Sequence, residues 1–166
     1  MTLPIRRRVG TAIAALAMAL LVGLSAGCTS GGWDYKAVTA AGVQADAGPV
    51  MVRNLMLLAD SKGEGLLLGS VFTTQPVKLT ALTVSAEQQD GSFSEPVTVD
   101  VKGDILVTDG LKLGGKDSRI KGAKLREGLL SRVTMQFSDG TTAAVEAPVL
   151  SSDNADYKAA WDKAAA

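Results

Sequence analysis

Short apolar runs with a period of two, separated by Asp-Gly turns, and the lack of any long helical periodicity between residues 50 and 150 predict an all-β domain. Eight or so short strands with turn signals at this spacing suit an antiparallel Greek-key sandwich of immunoglobulin-like or cupredoxin-like architecture. An apolar N-terminal stretch reads as a signal helix ahead of that domain.

The N-terminus comes first. "MTLPIRRRVG" is a basic n-region, and Thr11–Leu24, "TAIAALAMALLVGL", is an apolar run of fourteen residues ending in the small residues Ser25, Ala26 and Gly27. A membrane-spanning helix needs about 20 residues, so the run reads as a cleaved export signal. The three arginines lack the flanking residues of a twin-arginine signal and read as an ordinary n-region. Cys28, the only cysteine in a chain without histidine, follows at once.

Leu24-Ser25-Ala26-Gly27-Cys28 resembles the lipobox of bacterial lipoproteins, with Ser25 standing where leucine is commoner. The resemblance implies cleavage before Cys28 and attachment of acyl chains, palmitate among them, to its thiol. The other reading is a plain secretory signal with an incidental cysteine. Lipidation accounts for a lone thiol in an exported chain, because the sulfur is consumed as a thioether. Two or three acyl chains anchor stably, at about 0.8 kcal/mol per buried methylene. The organisation expected is a signal peptide at 1–27, the lipidated cysteine and a tether at 28–36, a sandwich at 37–150 and a flexible or weakly helical tail at 151–166. The location expected is the outer face of the cell membrane.

Removing Arg6, Arg7 and Arg8 from the 17 basic groups leaves 14 against 17 acidic ones, so the exported part carries a charge of −3. A mildly acidic surface disfavours nucleic acid, whose binding needs a basic patch. The expected partners are the membrane, through the anchor, and another envelope protein.

Strands are read at Val50–Leu58, Leu66–Thr73, Val77–Val84, Glu95–Val101, Ile105–Thr108, Arg119–Leu125, Ser131–Phe137 and Thr141–Leu150. In Val77–Val84 strict alternation sends Leu79, Ala81 and Thr83 one way and Lys78, Thr80, Leu82 and Val84 the other. Asp90-Gly91, Asp109-Gly110 and Asp139-Gly140 supply the positive φ that tight turns require. Pro76, Pro96 and Pro148 are placed at strand edges, where a missing N–H is tolerated. In the tail, Tyr157 and Trp161 are four apart, so a helix would put both rings on one face. A frayed, weakly helical terminus is the other reading.

Catalytic chemistry is weakly encoded, and no enzyme is expected. Nucleophilic catalysis most often takes its base from histidine, which is absent. Ser118 near Lys116 and Lys121 could form a Ser-Lys arrangement, but the glycine-rich, charged surroundings read as a solvated hairpin. Glu87, Asp90, Glu95 and Asp100 cluster in sequence at turn positions. For a soft metal the exported domain offers Met51, Met56 and Met135. Met51 and Met56, five apart on one strand, are expected on opposite faces, and core filling is the preferred role for each. No cofactor is expected.

Asp109–Val149, "DGLKLGGKDSRIKGAKLREGLLSRVTMQFSDGTTAAVEAPV", resembles the closing half of the periplasmic PCuAC copper chaperone domain, with its "LxPGGxHxMLxGL", "LxxGxxVxLTLxF" and "VxVxxPV" pieces. Upstream, "VMVRNLMLLAD" and "VKLTALTV" look like the family's opening strands. The resemblance implies the family's fold. It places the family's copper ligands near Thr80 and Leu82 and at Asp117 and Arg119, none of which forms a soft copper site. The chain also looks similar to lipid-anchored actinobacterial relatives of that domain. The function expected is therefore a non-catalytic binding or accessory module in the envelope. Gly114–Gly122, with Lys116, Asp117, Ser118, Arg119 and Lys121, is the candidate contact loop, and plain solvated turn residues are the other reading. The alternative function is copper binding or delivery through a divergent methionine or carboxylate site.

Overall fold

The computed structural model describes residues 41–166; the expected export signal, Cys28 and the expected tether lie outside the described residues. Ten strands follow in order: β1 Val43–Ala47, β2 Val50–Ala59, β3 Gly65–Thr73, β4 Val77–Ala86, β5 Val97–Thr98, β6 Gly103–Ile105, β7 Leu111–Leu113, β8 Arg119–Ile120, β9 Leu130–Phe137 and β10 Thr142–Ser151. A 3-10 turn, Lys116–Ser118, precedes β8, and helix α1, Lys158–Ala165, follows β10.

The domain is a β-sandwich, as the alternation predicts. One sheet holds β1, β2, β3, β7 and β8, and the other holds β4, β5, β6 and β9. Strand β10 serves both. It pairs antiparallel with β9 from Thr142 to Pro148, then parallel with β2 from Val149 to Ser151. That parallel contact is the one departure from the antiparallel expectation among the pairings described. β4 leaves its sequence neighbour β3 to pair with β9, the crossing that gives the Greek-key character.

The core lies between the sheets. Val50, Val52, Leu55, Leu57, Leu67 and Val71 meet Leu79, Leu82, Val84, Val133, Met135 and Phe137 there. Both long central strands carry a β-bulge that reverses their alternation. In β2, Arg53 pairs with Ser70 but Met56 with Leu68, so Asn54 and Leu55 together face Gly69. Asn54 takes a left-handed φ of 52°, and its Oδ1 accepts the Gly42 N–H at 3.1 Å. The inward residues therefore run Val50 and Val52, then Leu55, Leu57 and Ala59.

The same device corrects two expectations. Met51 and Met56 fall on one outer face rather than opposite faces, because the bulge lies between them. In β4 the extra residue is Thr80, since Leu79 pairs with Phe137 and Ala81 with Gln136. Leu79 and Leu82 both point inward, where strict alternation separates them.

Other differences are local. β5, β6 and β8 are shorter than the runs that announced them, and β1 and β7 carry no strong run of their own. Past Ile105 the chain turns outward, leaving Leu106 and Val107 exposed rather than in a strand. Gly91 and Gly140 adopt positive φ as their turns require, but Gly110 does not. Its missing side chain instead makes room for the Phe72 ring, whose Cδ1 lies 2.5 Å from where a Cβ would stand. Pro76 and Pro96 stand just before β4 and β5, whereas Pro148 sits inside β10 opposite Leu130. It is tolerated there because β10 changes partner at the next residue.

Candidate functional site

The loop between β7 and β8 is built by alternation and one special backbone position. Leu113 and Ile120 are buried in the core and fix its two ends. Gly114 takes φ 120°, a conformation open to glycine, and a Cβ there would stand 2.9 Å from Leu68 Cδ2. The 3-10 turn then closes through a hydrogen bond from Ser118 N to Gly115 O at 3.0 Å.

Of the five residues in the expected contact loop, three are available as surface. Lys116, Asp117 and Lys121 are exposed. Ser118 is buried, and its Oγ accepts the Gly114 N–H at 3.0 Å. That corrects its place in a contact surface, because the hydroxyl is spent on closing the loop. The same burial separates it from a Ser-Lys arrangement, since the flanking lysines face solvent.

Arg119 organises the site in a way the local sequence does not announce. As the outward residue of β8 it reaches over the outer face of the first sheet. Its guanidinium lies 4.3 Å from the centroid of the Trp161 ring, a cation-π stack, and its Nη2 is 3.7 Å from Glu64 on the β2–β3 hairpin. The side chain is 19 % exposed. Nη1 is buried and has no hydrogen-bond partner among the described residues.

Helix α1 explains why an indole stands there. Tyr157, Trp161 and Ala164, spaced by four and three, share one helical face and pack on Leu58, Leu66, Leu68 and Leu150. Leu58 and Leu66 have no exposed area. The Asn154 side chain accepts the Asp156 N–H at 3.0 Å, and its carbonyl receives the Tyr157 and Lys158 N–H groups, turning the chain into the helix. The spacing of Tyr157 and Trp161 is legible in sequence; their docking on the sandwich is a tertiary result.

Beside the loop is a cleft of about 260 Å³ lined by Thr98, Asp100, Lys116, Asp117, Arg119 and Lys121. The carboxylates that cluster in sequence do not assemble around it. Only Asp100 lines it; Glu87 accepts the Leu130 N–H at 2.7 Å, and Asp90 accepts both the side-chain hydroxyl and the backbone N–H of Ser92. Those bonds hold the Asp90 carboxyl below its ordinary 3.8, the hydroxyl contributing most. Asp139 is lowered in the same way by the backbone and hydroxyl of Thr141. Glu95 is exposed.

The positions where the family resemblance puts copper ligands are also apart in character. Thr80 is exposed on its bulge and donates its hydroxyl to Gln136 O at 3.0 Å, while Leu82 is in the core. Met135 is buried in the same core, and Met51 and Met56 lie on the outer face of the first sheet, so the three sulfurs do not converge. Among the described residues no group of three Cys, Asp or Glu side chains is placed to hold a metal ion.

No family model matches the chain, and no curated protein sequence matches it. Among solved structures the chain is similar to the apo PCuAC domain from PmoF1, with 17% identity over 66% of this chain and 99% of that one and a TM-score of 0.46. It is also similar to the copper-bound PCuAC domain from PmoF2, with 13% identity over 66% of this chain and 98% of that one and a TM-score of 0.39. No ligand or activity passes to this chain from likeness at that level.

Proposed function

We propose that this chain is an exported, lipid-anchored lipoprotein of the cell envelope whose β-sandwich binds another envelope component without catalysing a reaction. The observation that carries the export and anchoring is Cys28, the one thiol of the chain, at the end of an apolar run and directly after Ser-Ala-Gly. The absence of histidine from the whole sequence supports a non-catalytic role, because it removes the commonest general base. The residues that replace the PCuAC ligands in the sequence resemblance, Thr80, Leu82, Asp117 and Arg119, argue for a scaffold put to another use. The exposed Lys116, Asp117 and Lys121 supply its contact surface. Copper delivery through methionine is the weaker reading, because Met135 is 1% exposed inside the core.

The test is expression of the full chain in a bacterial host with a radiolabelled fatty acid. Label in the wild type and none in Cys28→Ser is the expected result. Equal label in both would overturn the anchor. A photo-cross-linker at position 116 then reports contact, and an adduct lost when the probe is moved to exposed Thr142 on the β9–β10 hairpin is expected.

A further inference from the structure

We infer that the cleft where the β2–β3 hairpin, the β8–β9 loop and the end of β10 meet binds the ammonium group of a small alkyl amine. This cleft, of about 320 Å³, shares no lining residue with the contact loop at Gly114–Gly122, so the inference goes beyond the reading of that loop and does not rest on it.

Ser152 carries the argument. Four polar side chains are buried among the described residues: Thr73, Ser118, Ser131 and Ser152. Thr73 donates its hydroxyl to Gln75 O, Ser118 accepts the Gly114 N–H, and Ser131 donates to Ser85 O. Ser152 is only 6% exposed, yet its hydroxyl has no partner among the described residues. A buried hydroxyl is normally bonded, so one left free calls for a ligand or a water. The hydroxyl is not sealed off, since Arg119 Nη1 is the only buried unpaired side-chain atom without access to solvent among the described residues. Ser152 lines the cleft, and its hydroxyl opens there.

The walls around it are fixed by backbone bonds. Ser152 N–H donates to Ala59 O at 2.8 Å, Leu125 N–H to Gly63 O at 3.1 Å and Gly128 N–H to Val149 O at 2.9 Å. Asp60 Oδ1 accepts the Lys62 and Glu64 N–H groups, each at 2.9 Å, which leaves Oδ2 free to face a ligand.

The charge of the lining selects a cation. Asp60, Glu127 and Asp153 stand against Arg126 alone, and none of the four enters an ion pair among the described residues. No three of the described carboxylates converge as a bare metal ion requires. An organic cation needs no such convergence, because it spans the space between them. An ammonium offers three donors and no acceptor, which matches a free hydroxyl oxygen among carboxylates. Buried Ala59 and Leu125 give its methylenes an apolar floor.

The test uses the full-length protein in a non-ionic detergent, labelled with nitrogen-15 and titrated with putrescine at constant ionic strength. Saturable amide shifts confined to residues 59–61, 125–128 and 151–153 are expected, with a Kd on the order of 1 mM. Tetramethylammonium carries the charge without an N–H, and equal saturation by it would overturn the proposal. Ser152→Ala should weaken putrescine about tenfold or more and leave the Tm unchanged or raised, because removing an unpaired hydroxyl costs no internal bond. A lowered Tm would mean that the hydroxyl is bonded within the protein and would sink the argument. Glu127→Gln with Asp153→Asn, both exposed, is the second variant and should weaken binding about threefold to tenfold, whereas exposed Asp109→Asn should not. Shifts that stay linear to about 50 mM putrescine, or equal affinity in the wild type and Ser152→Ala, would also refute it.

Discussion

Replacing Trp161 by alanine removes the residue that joins α1, β8 and the outer face of the first sheet. The ring is half-buried over Leu58 and Leu66, neither of which has exposed area. A fully buried indole covers about 150–250 Å². Half of that, about 100 Å² at about 25 cal/mol per Å², gives about 2.5 kcal/mol. The stack with Arg119, 4.3 Å from the ring centroid and largely covered, adds about 0.5–1 kcal/mol. Tyr157 and Ala164 remain, but an isolated eight-residue helix does not hold itself together in water. The loss should therefore be about 3–3.5 kcal/mol, with α1 undocking before the sandwich unfolds. Urea unfolding followed by far-UV circular dichroism reads the first quantity, and amide exchange across Lys158–Ala165 reads the second. Arg119→Met in both backgrounds isolates the pair, with a coupling of about 0.5–1 kcal/mol expected. A change below about 0.5 kcal/mol with α1 amides exchanging as in the wild type would refute the docking of this helix by its indole.

Two further outcomes follow from the bulges and the turns. Leu82→Ala should cost about 2–4 kcal/mol, because its side chain is fully buried, whereas exposed Thr80→Ala should cost less than about 1 kcal/mol; the reverse order in thermal melts would mean that β4 runs without its bulge. The carboxyls of Asp90 and Asp139 are lowered in the folded state by their turn hydrogen bonds, so their contribution is complete above the ordinary value of 3.8 and is lost as the pH falls through the lowered one. Asp139→Asn should thus lower stability near neutral pH and differ less from the wild type below pH 3.8; a difference that stays constant across that range would separate the turn from the charge.

How much of the sandwich was legible depends on which rule a segment obeys. β9 keeps strict alternation, Ser131, Val133, Met135 and Phe137 inward and their neighbours outward, and its sequence says so directly. β2 and β4 break the rule at Asn54 and Thr80. Their sequences hold a faint record of it, in Val52 followed by Leu55 and Leu79 followed by Leu82, a step of three where a plain strand would take two. The reading of Met51 and Met56 as opposed failed for that reason alone. Ser118 was misplaced for a different one: whether a serine in a glycine-rich loop faces water depends on the turn that follows it, here closed on Gly114.

The sequence by itself determined the β class, the long strands, the turns at Gly91 and Gly140, and the one place where a thiol stands. Each of these is written in near neighbours, as a period of two, a dipeptide or an apolar run. Only the tertiary structure decided that Arg119 meets Trp161, that β10 joins the two sheets, and that Thr98 and Asp100 come to line one cleft with Lys116 and Lys121. Those facts depend on pairings between residues dozens of positions apart, set by how bulged strands pack and where a short helix finds an apolar face, which local patterns do not specify.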